Sequence, residues 1–170
     1  GAMFASLPGL MAIAPRLADA FGAGEGVAFA DFGEGMPLAL EQLNRNVYEA
    51  RLVKSWLPTM PDVVSRLSAG GRAIDIRCGT GTVPILLAQE YPRATIEGLD
   101  IDTRSIAMAR EHARERGLGD RVRFIEAGVE AIPCDPGYDL ISTFDAVHDL
   151  PDPRGALTHI RDALNEGGTY

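Results

Sequence analysis

The chain has 170 residues, of which 46% are hydrophobic and 24% charged, so it can bury one sizeable core. Its 16 basic residues stand against 24 acidic ones, and the resulting net charge of -8 is the wrong sign for neutralising nucleic-acid phosphates. Two cysteines provide no disulfide framework, and no apolar run approaches the roughly 18 residues of a membrane span. We therefore expect a cytoplasmic protein without nucleic-acid or membrane partners.

The N-terminal part of the chain is predicted to be helical. Residues 1–3, GAM, resemble the remnant of a cleaved purification tag and are excluded from the fold. The segment LMAIAPRLADAF leads into the glycine-rich GAGEG, and MPLALEQLNRNVYEARLVKSWL repeats apolar residues at spacings of three and four. Between them VAFADFGEG indicates a loop or a short extended piece. We expect residues 4–67 to form a helical cap or linker region.

From residue 68 onward, short β-branched and aromatic runs alternate with helical segments. The predicted strands are RAIDIR, TIEGLD, VRFIE and YDLISTF, and the predicted helices are TVPILLAQEY, TRSIAMAREHARERG and PRGALTHIRDALNEGG. This alternation is typical of a parallel sheet with right-handed crossovers. We therefore predict an α/β fold, a Rossmann-like doubly wound sheet over residues 68–170.

The end of the chain carries two further expectations. Gly167 and Gly168 are predicted to stop the last helix, and Thr169 and Tyr170 to open a fifth strand. Because a doubly wound sheet usually continues with more strands, we expect a truncated domain. A sheet face left uncovered in this way favours self-association, so a homo-oligomer is expected.

The stretch AIDIRCGTGT, residues 73–82, predicts a strand that runs into a glycine turn and then a helix. The backbone N–H groups of Gly79, Thr80 and Gly81 would lie at the helix N-terminus, where they favour a polar or anionic ligand group. TIEGLD ends in Asp100, nineteen residues after Gly81, where a carboxylate can accept both hydroxyls of a ribose. The alternative is that Asp100 and Asp102 only cap the helix that starts near Thr103.

The glycine turn lacks the motifs that typically bind dinucleotide cofactors and ATP. The third glycine of the dinucleotide fingerprint is missing, since Thr82 and Val83 are followed by Pro84. The chain also lacks the G-x-x-x-x-G-K-[ST] phosphate loop. A nicotinamide-dependent dehydrogenase is therefore disfavoured but stays an alternative, and flavin and ATP are disfavoured as cofactors.

At these motifs the chain resembles the class I S-adenosylmethionine-dependent methyltransferases. The family's first motif is an apolar strand followed by Asp-x-Gly-Cys-Gly-Thr-Gly, and residues 73–81 match it except that Arg77 replaces the first glycine. The acid that closes strand two matches Gly98-Leu-Asp100-Ile-Asp102, and RVRFIEA, YDLISTF and LNEGG match later motifs. GVAFADFG and FDAVHDLPDP are similar to a bacterial subgroup that carries an N-terminal winged-helix dimerisation domain. By this resemblance the chain is the middle of such an enzyme, truncated at both ends.

The resemblance implies S-adenosylmethionine as cofactor and S-adenosylhomocysteine as product. Asp75 and the glycine turn would hold the methionine end, Asp100 the ribose, and Ile101 would lie beside the adenine. Gly128 stands where the family commonly has an aspartate that meets the adenine amino group, so backbone groups and apolar packing would replace that contact. The residues expected at the cofactor are Tyr48, Asp75, Arg77, Cys78, Gly79, Thr80, Gly81, Asp100, Ile101, Gly128, Val129 and Phe144.

Catalytic candidates follow the fourth strand. TFDAVHD brings Asp145 and His148 to the carboxyl edge of the sheet, and His148 is the side chain there whose ordinary pKa suits a general base. The alternative is that His148 only stacks beside the cofactor or caps the next helix. In the cap, Tyr48 and Trp56 either close over the cofactor or pack in the core. His112 and His159 are expected to be solvated, and Cys78 and Cys134 do not suggest a metal site.

The leading hypothesis is a methyltransferase that acts on a small-molecule acceptor. The competing hypothesis is a catalytically impaired methyltransferase-fold module that serves in binding or assembly, and Arg77 and Gly128 favour it. An arginine at the family's first glycine points at the space of the cofactor's amino-acid part. We expect it to pair with Asp75, Asp100 or Asp145 and to weaken cofactor binding.

Overall fold

The structure is a computed structural model that describes residues 2–33 and 35–170. The chain divides into two compact units, Gly1–Asn46 and Val47–Tyr170. The boundary lies inside a helix, so residues 47–67 belong to the same unit as the sheet that follows.

The first unit contains helix α1, Ala2–Ala23, a 3-10 turn at Phe29–Phe32, and the start of helix α2, Met36–Arg51. Gly9 of α1 packs so closely on the Phe32 carbonyl that any side chain at position 9 would collide with it. Arg16 of α1 also pairs with Asp31 at 2.9 Å. The loop expected over VAFADFGEG thus contains a 3-10 turn, and its Glu34 lies outside the described residues.

In the second unit, the described residues form one parallel sheet. Its strands are β1 (Arg72–Ile76), β2 (Thr95–Asp100), β3 (Val122–Glu126), β4 (Tyr138–Thr143) and β5 (Leu164–Thr169), in the spatial order β3-β2-β1-β4-β5. The strand order reverses beside β1, which is the switch point where ligands bind in such sheets. The predicted doubly wound α/β fold is confirmed.

One helix precedes β1 and others connect the strands, except that β3 and β4 are joined through a 3-10 turn at Val129–Ala131. These helices are α3 (Pro61–Ala69), α4 (Thr82–Glu90), α5 (Thr103–Glu115) and α6 (Pro153–Ala163), and a π turn and a 3-10 turn at Leu52–Trp56 and Leu57–Thr59 join α2 to α3. The α5 cap is Asp102, whose carboxylate accepts the Ser105 N–H at 2.8 Å. Asp102 thus makes the N-terminal cap of α5, as the sequence allowed.

The sheet buries apolar side chains on both faces because strand residues alternate in direction. Ala73 and Ile96 pack with Leu67 and Ile106 in one cluster, and Ile74 packs in a second cluster on the other face. The second cluster also contains Ile76, Leu99, Tyr138, Ile141 and Ile160. Both faces of the centre of the sheet are thus covered, which leaves the strand ends as the places for function.

The prediction that Gly167 and Gly168 end the last helix is wrong. Helix α6 ends at Ala163, and Leu164 is already extended, with ψ 139°, and paired with Tyr138 of β4. Gly167, with φ 70°, lies at a register shift inside β5, and a side chain at Gly168 would press on the Tyr138 carbonyl at 2.7 Å. Sheet pairing, which depends on distant β4, decides this boundary rather than the local glycines.

Candidate functional site

The turn after β1 is built from residues with left-handed backbones. Arg77, Gly79 and Gly81 have φ values of 60°, 53° and 84°, and helix α4 begins directly after them. A side chain at Gly81 would meet the Phe124 ring at 2.8 Å, whereas a side chain at Gly79 would meet nothing within 4 Å. Gly81 therefore serves close packing onto β3, and Gly79 leaves open space that a ligand can approach.

Asp100 is held in one orientation by backbone donors. Its Oδ2 accepts the Gly79 N–H at 2.9 Å, and its Oδ1 accepts the Asp102 N–H at 2.9 Å. The side chain is only 8% exposed. Since Asp102 caps α5, Asp100 is not needed for that task, and its carboxylate is fixed directly beside the glycine turn.

Asp75 lies at the end of β1 with little access to solvent. Its Oδ1 accepts a hydrogen bond from the Ser142 hydroxyl of β4 at 2.6 Å. The pKa of Asp75 is raised to about 7, chiefly by burial; the Ser142 hydrogen bond opposes the rise, and the nearby charge of Asp100 adds to it. The group is therefore poised to change its charge near neutral pH.

Arg77 turns toward Asp100. Its Nη1 lies 4.0 Å from Asp100 Oδ1, and its side chain is 22% exposed. Of the three partners that the sequence left open, the geometry points to Asp100. The positive φ of Arg77 costs about 1 kcal/mol in a residue with a side chain. The position therefore combines backbone strain with a cation beside Asp100, the carboxylate that is predicted to bind the ribose.

Three aromatic side chains of the second unit meet at the end of β4. The ring centroid of Phe144 lies 5.0 Å from Tyr48 and 5.9 Å from Trp56, and the two latter rings are 6.4 Å apart. Burial, together with the charges of Asp75 and Asp145, raises the pKa of Tyr48 to about 12. Tyr48 thus lies close to the acids of both strand ends, and its phenol stays protonated.

The loop after β4 is open to solvent. His148 Nδ1 lies 3.9 Å from Asp145 Oδ1, and its Nε2 lies 3.4 Å from Asp149 Oδ1. The His148 and Asp145 side chains are 64% and 77% exposed. The loop therefore holds the His148 imidazole between the carboxylates of Asp145 and Asp149, where the imidazole is accessible to water.

The remaining predicted cofactor residues lie beyond β2 and β3. Ile101 is 57% exposed. The Ala127 N–H bonds the Asp100 carbonyl at 3.0 Å and so holds the end of β3 beside β2, with Gly128 and Val129 next in the chain. Gly128 offers no side chain, and one added there would displace only the flexible end of the Glu130 side chain. An adenine contact from position 128 itself is thus limited to the backbone.

Two expectations about other polar residues have different outcomes. His159 is exposed, but His112 is half-buried, and its Nδ1 lies 3.1 Å from the Thr80 carbonyl of the glycine turn. The solvated position expected for His112 is therefore wrong, because α5 packs against the turn. Burial, with the charges of Asp75 and Asp100, raises the pKa of Cys78, which stays a neutral thiol.

Two absences hold for the described residues. No group of three or more His, Cys, Asp and Glu side chains among residues 2–33 and 35–170 is arranged to hold a metal ion. None of the helices in the same part of the chain has the length and apolar character needed to cross a bilayer.

A parallel sheet with a glycine turn after β1 and an oriented acid at the end of β2 is typical of nucleoside-binding α/β proteins. The family model described as "Methyltransferase domain" matches residues 67–170. The chain belongs to this family, which confirms the resemblance to class I methyltransferases. The winged-helix domain of the bacterial subgroup stays a prediction.

Individual proteins to which this chain is similar are also named as methyltransferases. The chain is 33% identical to the demethylmenaquinone methyltransferase of Thermus thermophilus over 98 residues, which are 57% of this chain and 44% of that protein. A putative S-adenosyl-L-methionine-dependent methyltransferase from Methanococcus maripaludis has a TM-score of 0.56 at 23% identity, covering 78% of this chain and 60% of that one. A methyltransferase from Geobacter sulfurreducens in complex with S-adenosyl-L-homocysteine has a TM-score of 0.51 at 24% identity, covering 64% and 45%. At these identities the structures show the fold alone.

The matches cover only part of the known relatives. The chain spans between 24% and 44% of the length of the first curated relatives that it matches. What those relatives methylate therefore does not transfer directly to this chain.

Proposed function

We propose that the protein is an S-adenosylmethionine-dependent methyltransferase that transfers a methyl group to a small-molecule acceptor. The observation that carries this proposal is the Asp100 carboxylate, which two backbone N–H groups orient beside the glycine turn. A fixed, nearly buried carboxylate at the switch point of a parallel sheet is suited to a pair of ribose hydroxyls.

The described residues fit the cofactor at most positions. The open space over Gly79 allows close approach of a ligand, and Asp75 offers a carboxyl to a methionine ammonium. Ile101 and Val129 provide apolar surface for the adenine. When bound, the cofactor supplies a methyl group on a sulfonium, which is already an activated leaving group.

The chain's own residues would then position the acceptor and handle its proton. Tyr48 and Phe144 pack together at the end of β4, with their ring centroids 5.0 Å apart, and offer an apolar surface beside the proposed site. If the acceptor atom carries a proton, that proton leaves to His148 or to water as the new bond to carbon forms. Asp145, 3.9 Å from His148 Nδ1, would orient the imidazole in this step.

The second candidate is a binding or assembly module with impaired catalysis. It is favoured by the Arg77 guanidinium, which lies 4.0 Å from Asp100 in the space predicted for the cofactor. In this reading the cation satisfies the acid that the cofactor would otherwise use.

Three further parts of the proposal concern the partners, the oligomeric state and the location of the enzyme. The net charge of -8 supports a protein without nucleic-acid partners. Exposed apolar side chains in the first unit, such as Phe21 at 91% and Met11 at 74%, support a homo-oligomer. A cytoplasmic location agrees with the absence of a disulfide framework.

Calorimetric titration with S-adenosylhomocysteine tests the proposal. We expect binding in the micromolar range by the wild-type protein, and methyl transfer from labelled S-adenosylmethionine to hydroxylated small molecules. Binding by Arg77→Gly alone would favour the second candidate. A folded wild type and a folded Arg77→Gly that both give no heat would contradict the methyltransferase proposal.

A further inference from the structure

A cavity of about 260 Å³ opens where β4 and β5 end. Its floor is formed by β4 residues from Leu140 onward, and its walls include Trp56 and Leu57 from the turns before α3 and Leu87 from α4. Tyr170 closes one side. The cavity lies entirely within the second unit.

The cavity is separate from the cofactor residues but adjoins them. None of the described residues that line it belongs to the glycine turn, and Asp100 is not among them. Two of its residues connect it to that site: Ser142 hydrogen-bonds Asp75 at 2.6 Å, and Phe144 packs 5.0 Å from the Tyr48 ring. A molecule in the cavity would therefore lie next to the residues proposed for the methionine end of the cofactor.

The residues that line the cavity disfavour a charged ligand. Among the described residues that form the walls, none carries an Asp, Glu, Lys, Arg or His side chain. Burying a charged ligand group without a partner is costly, so a cationic amine or a carboxylate would bind poorly. Leu, Val, Met and aromatic side chains instead favour an apolar ring.

The polar side chains among the described lining residues are Thr169, a pair of hydroxyls at the rim, and Ser142, which bonds Asp75. The Thr143 and Tyr170 hydroxyls are hydrogen-bonded at 2.7 Å, and either can donate. A hydroxyl has both donor and acceptor capacity, so a ligand hydroxyl can join this pair. The cavity is larger than the roughly 150 Å³ that accommodates benzene, which leaves space for a substituted ring or two fused rings.

We propose that this cavity binds an uncharged aromatic molecule of one or two rings that carries a hydroxyl, oriented by Thr143 and Tyr170. Its role as the methyl acceptor rests on the proposed function, whereas its binding does not. The walls give the site its preference for apolar rings, and the hydroxyl pair gives it direction.

The test uses Trp56, the chain's single tryptophan, as a reporter. Protein labelled with fluorotryptophan has one fluorine NMR resonance, at a wall of the cavity. We expect naphthol to shift this resonance in a saturable manner near neutral pH. Naphthoate and naphthylmethylamine, which have the same rings but carry charges, should bind at least tenfold more weakly.

A substitution tests the orienting pair. Thr143→Val keeps the shape of the side chain and removes its hydroxyl, so it should weaken naphthol several-fold and leave naphthalene unchanged. Thr158→Val in α6 is the matched control, since Thr158 is exposed and its hydroxyl bonds only within its own helix. Circular dichroism verifies that each variant is folded.

Three results would overturn the proposal: no shift with naphthol, equal binding of the charged probes, or the same loss of naphthalene and naphthol in Thr143→Val. Titration of the same samples with S-adenosylhomocysteine separates the two proposals. Cofactor binding without naphthol binding refutes the cavity proposal alone. Naphthol binding by the wild type, with no S-adenosylhomocysteine binding by either the wild type or Arg77→Gly, supports the cavity proposal and contradicts the proposed function.

Discussion

Buried acids have different hydrogen-bonding and charged partners at the two ends of the sheet. At the amino end, Glu97 of β2 is 2% exposed, yet its carboxylate meets Arg72 at 3.0 Å, Arg123 at 3.2 Å and the Tyr138 hydroxyl at 2.5 Å. Because cations and a hydroxyl surround it, this carboxylate is already compensated within the protein.

Asp139, also at the amino end, is compensated in the same manner. Burial raises the pKa of Asp139, but hydrogen bonds from the Arg72 N–H, Asn165 and Arg66 outweigh it, and the pKa lies below its usual value. The amino end of the sheet thus holds carboxylates whose partners are already in place.

At the carboxyl end, the acids have weaker donors. Asp75 accepts one hydroxyl, from Ser142, and Asp100 accepts two backbone N–H groups. The nearest arginine, Arg77, stays 4.0 Å from Asp100. Acids of this kind gain from a ligand that brings hydroxyls or a positive charge, so the difference separates a structural end from a binding end.

The largest predicted effect is on stability at the amino end. Glu97→Ala leaves Arg72 and the Tyr138 hydroxyl without their acceptor, and we expect it to lower the free energy of unfolding by about 4 kcal/mol. Denaturant melts measure this loss. Glu97→Gln, which keeps an acceptor for Tyr138, should lose less. If the folded Glu97→Ala protein also bound S-adenosylhomocysteine much more weakly, the separation of the two ends would not hold.

The carboxyl end should instead respond to pH through Asp75. Its folded pKa of about 7 exceeds the ordinary 3.8, so between these values the folded state keeps a proton that the unfolded chain has released. The free energy of unfolding should therefore fall as pH rises, by about 3 kcal/mol from pH 5 to 8.

Affinity for S-adenosylhomocysteine should change in the opposite direction, because the ionised Asp75 attracts an ammonium. We expect it to rise about tenfold from pH 6 to 8. Melts and titrations across this range measure both trends. Asp75→Asn should flatten them, and an unchanged slope in that variant would assign the pH dependence to another group.

Asp100 tests the binding end most directly. Asp100→Ala removes the proposed acceptor of the ribose hydroxyls, and we expect S-adenosylhomocysteine to bind about a hundredfold more weakly. The loss of stability should be smaller than for Glu97→Ala, about 1 to 2 kcal/mol, since only two N–H groups lose their acceptor. Asp100→Asn is the control that preserves shape and one acceptor oxygen. Unchanged binding by Asp100→Ala would remove the main support for the proposed function.

The sequence predicted the sheet better than the contacts at its ends. β-branched and aromatic runs marked β1 to β4 because local composition and alternation determine them. Leu164 opens β5 only through its pairing with Tyr138, a contact that composition does not reveal. The turn motif placed Asp75 and Asp100 at strand ends, but the bond between Asp75 and Ser142 joins residues 67 positions apart. The assignment of these residues to cofactor contacts stays a prediction.

Glu97 shows the same limit at the amino end. In TIEGLD it is an acid inside an otherwise apolar strand, and nothing local indicates that Arg72 and Arg123 from both neighbouring strands would reach it. The left-handed backbone of Arg77 could not be predicted from the sequence, for a different reason. The fold imposes the conformation that a glycine would adopt easily, whatever residue occupies the position.

Arg77 gives the smallest predicted effect and separates strain from charge. Arg77→Gly removes a strained left-handed residue but adds freedom to the unfolded chain, so the net gain in stability should be about 0.5 to 1 kcal/mol. Arg77→Ala keeps the strain and removes the cation, so its stability should stay near that of the wild type. If the cation blocks the site, both variants should bind S-adenosylhomocysteine about tenfold more tightly. Tighter binding by Arg77→Gly alone would instead assign the effect to the turn's backbone, and weaker binding by both would mean that Arg77 contacts the ligand.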